Sequence, residues 1–280
     1  MWIALSLIYA FSNAFYQNYN DKRRYNGYVL GIWRGFGVSL CAAPLLYFTP
    51  LKISGAYLYI LTIQGILIGF YDSRVFFASA KYGGHSGSGF MATSVLITVL
   101  LWWAIEEPEL EQLMQNPPYF ISLILILCGY SASYWQMMNV KLNRSAEQYM
   151  YPAVFALALM SILTRYIAIH GKDMTSGIIY YLTVSCFISG IYNSLMYIKS
   201  NKPKNIRKPK LKDGIWLIIL SMILIAAKTS AMRVCANPGY VVAMLLLSPI
   251  IAEVIKRRLK ITPLLVLTLS FLLLLILLVS

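Results

Sequence analysis

Four charged side chains lie inside strongly apolar stretches. Arg34 is in Gly31-Ile32-Trp33-Arg34-Gly35-Phe36-Gly37, Asp72 and Arg74 end Gly69-Phe70-Tyr71-Asp72-Ser73-Arg74, and Lys228 follows Ile223-Leu224-Ile225-Ala226-Ala227. A charge in hydrocarbon costs at least ~2.5 kcal/mol, so such residues turn toward a partner, a polar pathway or a bound solute. The guanidinium of Arg34 can clamp a carboxylate or phosphate in its bidentate fork, or it can join helices through a structural ion pair. Asp72 and Arg74 are two residues apart, which on a helix separates them by about 200°. Each must therefore look to another helix. Asp72 can neutralise Arg34 or Lys228, or it can release and rebind a proton in a coupled cycle. Lys228 can extend to the membrane interface along its apolar stem, or hold its ammonium inside the protein. Arg233, further along, is placed to add a second positive charge at the mouth of a cavity.

A second group is aromatic and polar. Tyr9, Asn13, Tyr16 and Gln17 share one helical face by their spacing, and Tyr130, Tyr134, Tyr192 and Asn193 carry similar chemistry on later segments. Rings of this kind stack on a solute while hydroxyls and amides orient it, although Tyr and Trp also gather at bilayer interfaces. Asn237 before Pro238, and Ser86 or Ser88 after Gly83-Gly84, are suited to cap new helices. Helix starts of this kind attract anions.

The elements that must hold these residues are ten apolar runs near 2–19, 28–47, 56–80, 89–104, 119–137, 149–169, 176–198, 214–234, 239–255 and 262–280. A spanning helix needs roughly 20 apolar residues, so ten of them use the whole of a 280-residue chain that is 59% hydrophobic. The runs do not alternate polar with apolar residues, as barrel strands would, and helix is the form that satisfies backbone groups in lipid. The expected class is an all-α integral membrane protein. With no basic leader and no small-residue cleavage site, the first run is expected to be retained.

The formal charge of +14 would suggest nucleic acid for a soluble protein, but the basic residues gather in connectors between apolar runs, as in Lys199 to Asp213. No nucleic-acid partner is expected. Cys41, Cys128, Cys186 and Cys235 have no paired spacing and read as packing residues, and His85 and His170 have no second ligand at metal spacing. There is no HExxH-type motif, no Ser/His/Asp set, and no Lys-Ser/Thr to complete a phosphate loop in the run Gly83 to Gly89. Neither an enzyme nor an ATP-driven pump is expected, and no metal or other cofactor.

Two halves, 1–138 and 139–280, divide the runs five and five. Ala78-Ser79-Ala80-Lys81 before the Gly83 breaker is echoed by Thr229-Ser230-Ala231-Met232-Arg233 before Cys235-Ala236-Asn237-Pro238-Gly239. An odd number of spans per half inverts the second half, a common plan in secondary transporters. Arg34 in the second run, small residues closing the third, a fourth that opens with Gly and Ser and ends at Glu106, and Ser248-Pro249 within the ninth together resemble the drug/metabolite transporter superfamily, in its ten-helix EamA-like branch. The resemblance implies two inverted five-helix repeats around a midplane site in a bacterial inner membrane. The chain departs from the family pattern at the end of the ninth run, where Lys256-Arg257-Arg258 stands in place of the usual Glu; Glu253 lies four residues after Pro249.

Taken together, these features lead us to expect a secondary transporter working by alternating access on a small anionic or zwitterionic metabolite. Expected substrate contacts are Arg34, Arg74, Lys228, Asn13, Tyr16, Tyr134, Asn193 and Asn237, with Asp72 and Glu253 as coupling or counter-ion groups for a proton or counter-substrate. A flippase for a lipid-linked phosphate or sugar headgroup and an exporter of amines or drugs are the competing readings, and monomer and homodimer both stay open. Connectors after odd-numbered runs carry most of the connector Lys and Arg, which places both termini outside, whereas the family resemblance implies both inside. The cluster Lys22-Arg23-Arg24 directly after the first run favours the charge rule. A cysteine placed at Lys204 should accordingly be labelled from the cytosolic face alone.

Overall fold

The computed structural model describes residues 1–49, 54–83, 91–139, 144–200, 209–256 and 260–279. Among them the chain is helical, without strands: α1 (Trp2–Asn18), α2 (Gly27–Ala42, tightening into a 3-10 turn over Ala43–Phe48), α3 (Gly55–Tyr82), α4 (Met91–Ile105), α5 (Glu107–Met114), α6 (Pro117–Asn139), α7 (Arg144–His170), α8 (Met174–Tyr180), α9 (Cys186–Lys199), α10 (Leu211–Val234), α11 (Pro238–Leu245), α12 (Leu247–Ile255) and α13 (Pro263–Val279). Each expected run falls on one of these helices or on a near-continuous pair. Among the described residues, seven segments have the length and apolarity to cross a membrane, and the bent pair α4–α5 makes an eighth if it is one span. The helices α1 and α13, of 17 residues each, are shorter than the roughly 20 residues of a full crossing.

Local chemistry explains the ends. The Asn26 side chain accepts from the Tyr28 and Val29 amides to cap α2, Ser54 accepts from Tyr57 for α3, and Asp173 accepts from Ser176 for α8, holding the Asp173 carboxyl below its usual range. Gly83 closes α3 at φ +93°, a left-handed conformation that side chains disfavour. Asn237 caps α11 by accepting from Gly239 at 2.9 Å, with Pro238 in the first turn as its sequence indicates. Ser86, Ser88 and His85 lie outside the described residues, so the matching start of the fourth run has no structural account.

Two of the expected runs are interrupted within their length. Between α8 and α9 the helix widens into a π turn over Tyr181–Ser185. Such a turn alters the regular ladder, and here Ser39 of α2 donates to the Thr183 carbonyl at 2.8 Å. Between α11 and α12 the helix breaks at Leu246 because Pro249 has no N–H to give. The Ser248 hydroxyl donates to the Leu245 carbonyl at 2.7 Å and accepts from Asn13 of α1 at 3.1 Å, and Tyr130 of α6 donates to the Ala243 carbonyl at 2.9 Å. The break is thus satisfied from two neighbouring helices. Ser248→Ala is expected to lower stability by about 1 kcal/mol, the usual net value of a buried hydrogen bond, read as a lower unfolding midpoint in detergent.

Close packing of the bundle depends on glycine at helix crossings. A Cβ on Gly35 would lie 2.4 Å from the Gly190 amide nitrogen, and one on Gly31 would meet the Asn193 side chain at the same distance. On the other side of α9, a Cβ on Gly65 would lie 2.6 Å from the Ser185 carbonyl, and one on Gly69 would strike the Tyr192 ring at 2.6 Å. Gly31/Gly35 and Gly65/Gly69 are both GxxxG spacings, which present a smooth groove one helix turn long. Helix α9 is therefore clasped between α2 and α3, and this clasp brings Arg34 and Asp72 face to face.

Candidate functional site

Arg34 points out of the α2 groove toward α3, where its Nη1 lies 2.6 Å from Asp72 Oδ2. Both residues are 3% exposed, so the pair is enclosed by protein. At such burial an ion pair is held by mutual attraction against a large desolvation cost, and losing either partner strands the other. The geometry answers the sequence argument about Asp72 and Arg74. Asp72 turns to α2, and Arg74 turns to α7, where Nη1 donates to the Tyr149 carbonyl between the rings of Phe70 and Tyr149, 4.7 and 5.0 Å away.

Lys228 of α10 lies near the ion pair, within electrostatic reach of both Arg34 and Asp72. At 2% exposure it does not reach an interface. Among the described residues its ammonium has no ion pair and no hydrogen bond. The cluster thus encloses two basic side chains and one acidic one.

Aromatic and polar groups ring these charges. Tyr9, Asn13, Tyr16 and Gln17, aligned on one face of α1 by their spacing, are all buried. The Tyr16 ring centroid is 6.0 Å from Arg34 Cζ, and its hydroxyl is directed at the Asp72 carboxylate without regular hydrogen-bond geometry. Tyr9 lies within electrostatic reach of Tyr71, Tyr181 and Asp72. The π turn brings Tyr181 and Cys186 to the flank of Arg34. Tyr181 is fixed by Gln64, whose Nε2 donates to its hydroxyl at 2.8 Å and to Thr164 Oγ1 at 3.0 Å. Asn193 packs on Gly31, one turn before Arg34; its Nδ2 donates to the Ser189 carbonyl, and its buried Oδ1 has no donor among the described residues.

The remaining candidates are placed elsewhere. Asn13 bonds Ser248 at the α12 break. The Tyr134 ring lies tilted against Tyr130, centroids 6.4 Å apart, beside α11. Glu253 is on α12 and partly buried. Asn237 joins a second polar cluster, where Trp102 Nε1 donates to Glu109 Oε2 at 2.8 Å across the 100° bend between α4 and α5. There Arg165 donates to the Met232 carbonyl and, at 2.7 Å, to that of Arg233, while Arg233 reaches back to the Ala168 carbonyl of α7. Arg165 and Arg233 are thereby engaged in tying α7 to the end of α10.

Gln64, Thr164, Tyr71 and Tyr181 were not singled out from the sequence. Gln64 carried a readable signal, as a lone amide within Ile60-Leu61-Thr62-Ile63-Gln64-Gly65-Ile66-Leu67. Tyr181 had none, because only the π turn aims it at Arg34. The four cysteines are unpaired, Cys186 and Cys235 buried and Cys41 and Cys128 exposed, and no group of three or more His, Cys, Asp or Glu able to hold a metal occurs among the described residues. No protein-family model matches the chain, and no curated protein matches it either.

Proposed function

We propose that this protein is a secondary transporter that carries a small polar organic solute, anionic or zwitterionic, past the Arg34–Asp72–Lys228 cluster. The observation that carries this reading is the cluster itself, enclosed by helices α1, α2, α3 and α10 in a protein whose segments are long and apolar enough to cross a bilayer. Buried charge inside membrane helices marks a solute or ion pathway more often than a fold requirement. The ring of Tyr9, Tyr16, Tyr71 and Tyr181 supplies stacking faces with polar tips, as small-molecule sites do.

Ten crossings in two inverted halves complete the proposal. Its support is the way the helix ends sort. At one end Asp213 of α10 receives Arg23 at 3.2 Å and the Tyr25 hydroxyl at 2.7 Å, while Lys256 after α12 meets Asp21 at 3.4 Å. At the other end Tyr119 bonds the Leu278 carbonyl, Tyr57 bonds that of Ile167, and Arg165 bonds the end of α10. A chain that crosses once per apolar run puts the members of each set on one side, with no conflict. Alternating access requires bonds of this kind to form and break at the two ends in turn.

The test is efflux from liposomes carrying the purified protein and loaded with labelled carboxylates, amino acids, nucleotide-sugars and organic amines. At least one anionic or zwitterionic solute should leave faster than from protein-free liposomes, and Lys228→Ala, matched for folded protein by size-exclusion profile, should slow it at least ten-fold. Release of amines alone, or of nothing, would overturn the proposal.

A further inference from the structure

Resting on the transport reading, we infer that the solute bears a single negative charge, a carboxylate seated on Lys228, and no ammonium group. Charge bookkeeping within the cluster carries the argument. The Asp72 carboxylate is already committed to Arg34 at 2.6 Å, with the Tyr16 hydroxyl directed at it as well. Lys228, 2% exposed, has neither ion pair nor hydrogen bond among the described residues. An isolated ammonium in a low-dielectric interior is costly, and a bound anion is the partner that relieves it. A second donor of the cluster points the same way: Arg34 Nε is buried without an acceptor among the described residues.

A zwitterion or amine would need a negative group of its own here, and the cluster's one carboxylate, Asp72, is paired with Arg34. Glu109 is held by Trp102 in the separate α4–α5 cluster. The free Asn193 Oδ1 is a neutral acceptor, suited to a hydroxyl rather than to an unshielded cation. One carboxylate brings the cluster's formal charge from one positive to zero, so that the loaded site can move through the bilayer's field without net charge.

Lactate, alanine and alaninol share a three-carbon skeleton and present a monoanion, a zwitterion and a cation. Thermal unfolding of the purified protein should shift upward with lactate at concentrations at least ten-fold below those at which alanine or alaninol acts, since a ligand of the folded state stabilises it by mass action. In Lys228→Met the lactate shift should disappear, and the ligand-free unfolding midpoint should rise, because an unpartnered buried charge has been removed. A lactate shift equal in both proteins, a preference for alanine or alaninol, no response to any of the three, or a lower midpoint in ligand-free Lys228→Met would each overturn the inference. Efflux separates it from the transport reading. Lactate bound through Lys228 but not carried across liposomes would refute transport and leave the anion site standing, whereas transport of another solute with no lactate binding would do the reverse.

Discussion

Asp72→Asn is expected to destabilise the protein by about 3–5 kcal/mol, the cost of leaving a buried charge without its partner. Arg34 Nη1 lies 2.6 Å from the carboxylate that this substitution neutralises, and both residues are 3% exposed, so water cannot compensate. Lys228 offers no substitute, because the other ionisable side chain within electrostatic reach of Arg34 in this cluster is itself basic. The measurement is the unfolding midpoint in detergent, together with the fraction of monodisperse protein recovered. The double variant Arg34→Met/Asp72→Leu removes both charges and should recover most of the lost stability, as well-packed apolar replacements of buried ion pairs do. Folded but inactive double-variant protein would show that the pair serves transport; an equal loss of stability in the single and double variants would show that packing, not charge, holds α2 to α3.

Gly35→Val is expected to cost as much or more, by a different cause. Its added Cβ would sit 2.4 Å from the Gly190 amide nitrogen and 2.8 Å from the Cys186 carbonyl, both backbone atoms with no rotamer into which to retreat. Relief requires α9 to withdraw from α2. That motion would drag Tyr181 and Cys186 from the flank of Arg34 and open the second groove at Gly65 and Gly69. Overpacking typically costs 1–3 kcal/mol where side chains can adjust, and this contact sits at or above the upper end of that range. Loss of the monodisperse species is the expected result. Gly55→Ala is the control, since nothing lies within 4 Å of a Cβ there, and alanine at an exposed helix start is tolerated or favoured. Normal stability in Gly35→Val would mean that α9 does not approach α2 as described.

The two variants mark what each level of information determined. Apolar run length and the absence of alternation were enough for the helical class, and residue type was enough for the Asn237 cap with Pro238 in the first turn of α11, because these follow from local propensity and from the backbone's need for internal hydrogen bonds. The charged residues within those runs identified Arg34, Asp72 and Lys228 as the candidates, since charge in an apolar run is costly enough to stand out. The shared face of Tyr9, Asn13, Tyr16 and Gln17 was legible for the same reason of helical period.

Which of these residues meet was decided by the tertiary structure alone. The sequence left Asp72 with two possible partners, and the glycine grooves at Gly31/Gly35 and Gly65/Gly69 selected Arg34 by bringing α2 and α3 around α9. It left Lys228 free to reach the interface or turn inward, and burial turned it inward. Arg74, alike in type to Arg34, went to a carbonyl of α7, and Tyr181, without a signal of its own, was aimed at Arg34 by a π turn. Periodicity assigns a residue to a face of its own helix, but the neighbour that face meets depends on how closely two backbones can approach, and that distance is a property of pairs of helices far apart in the chain.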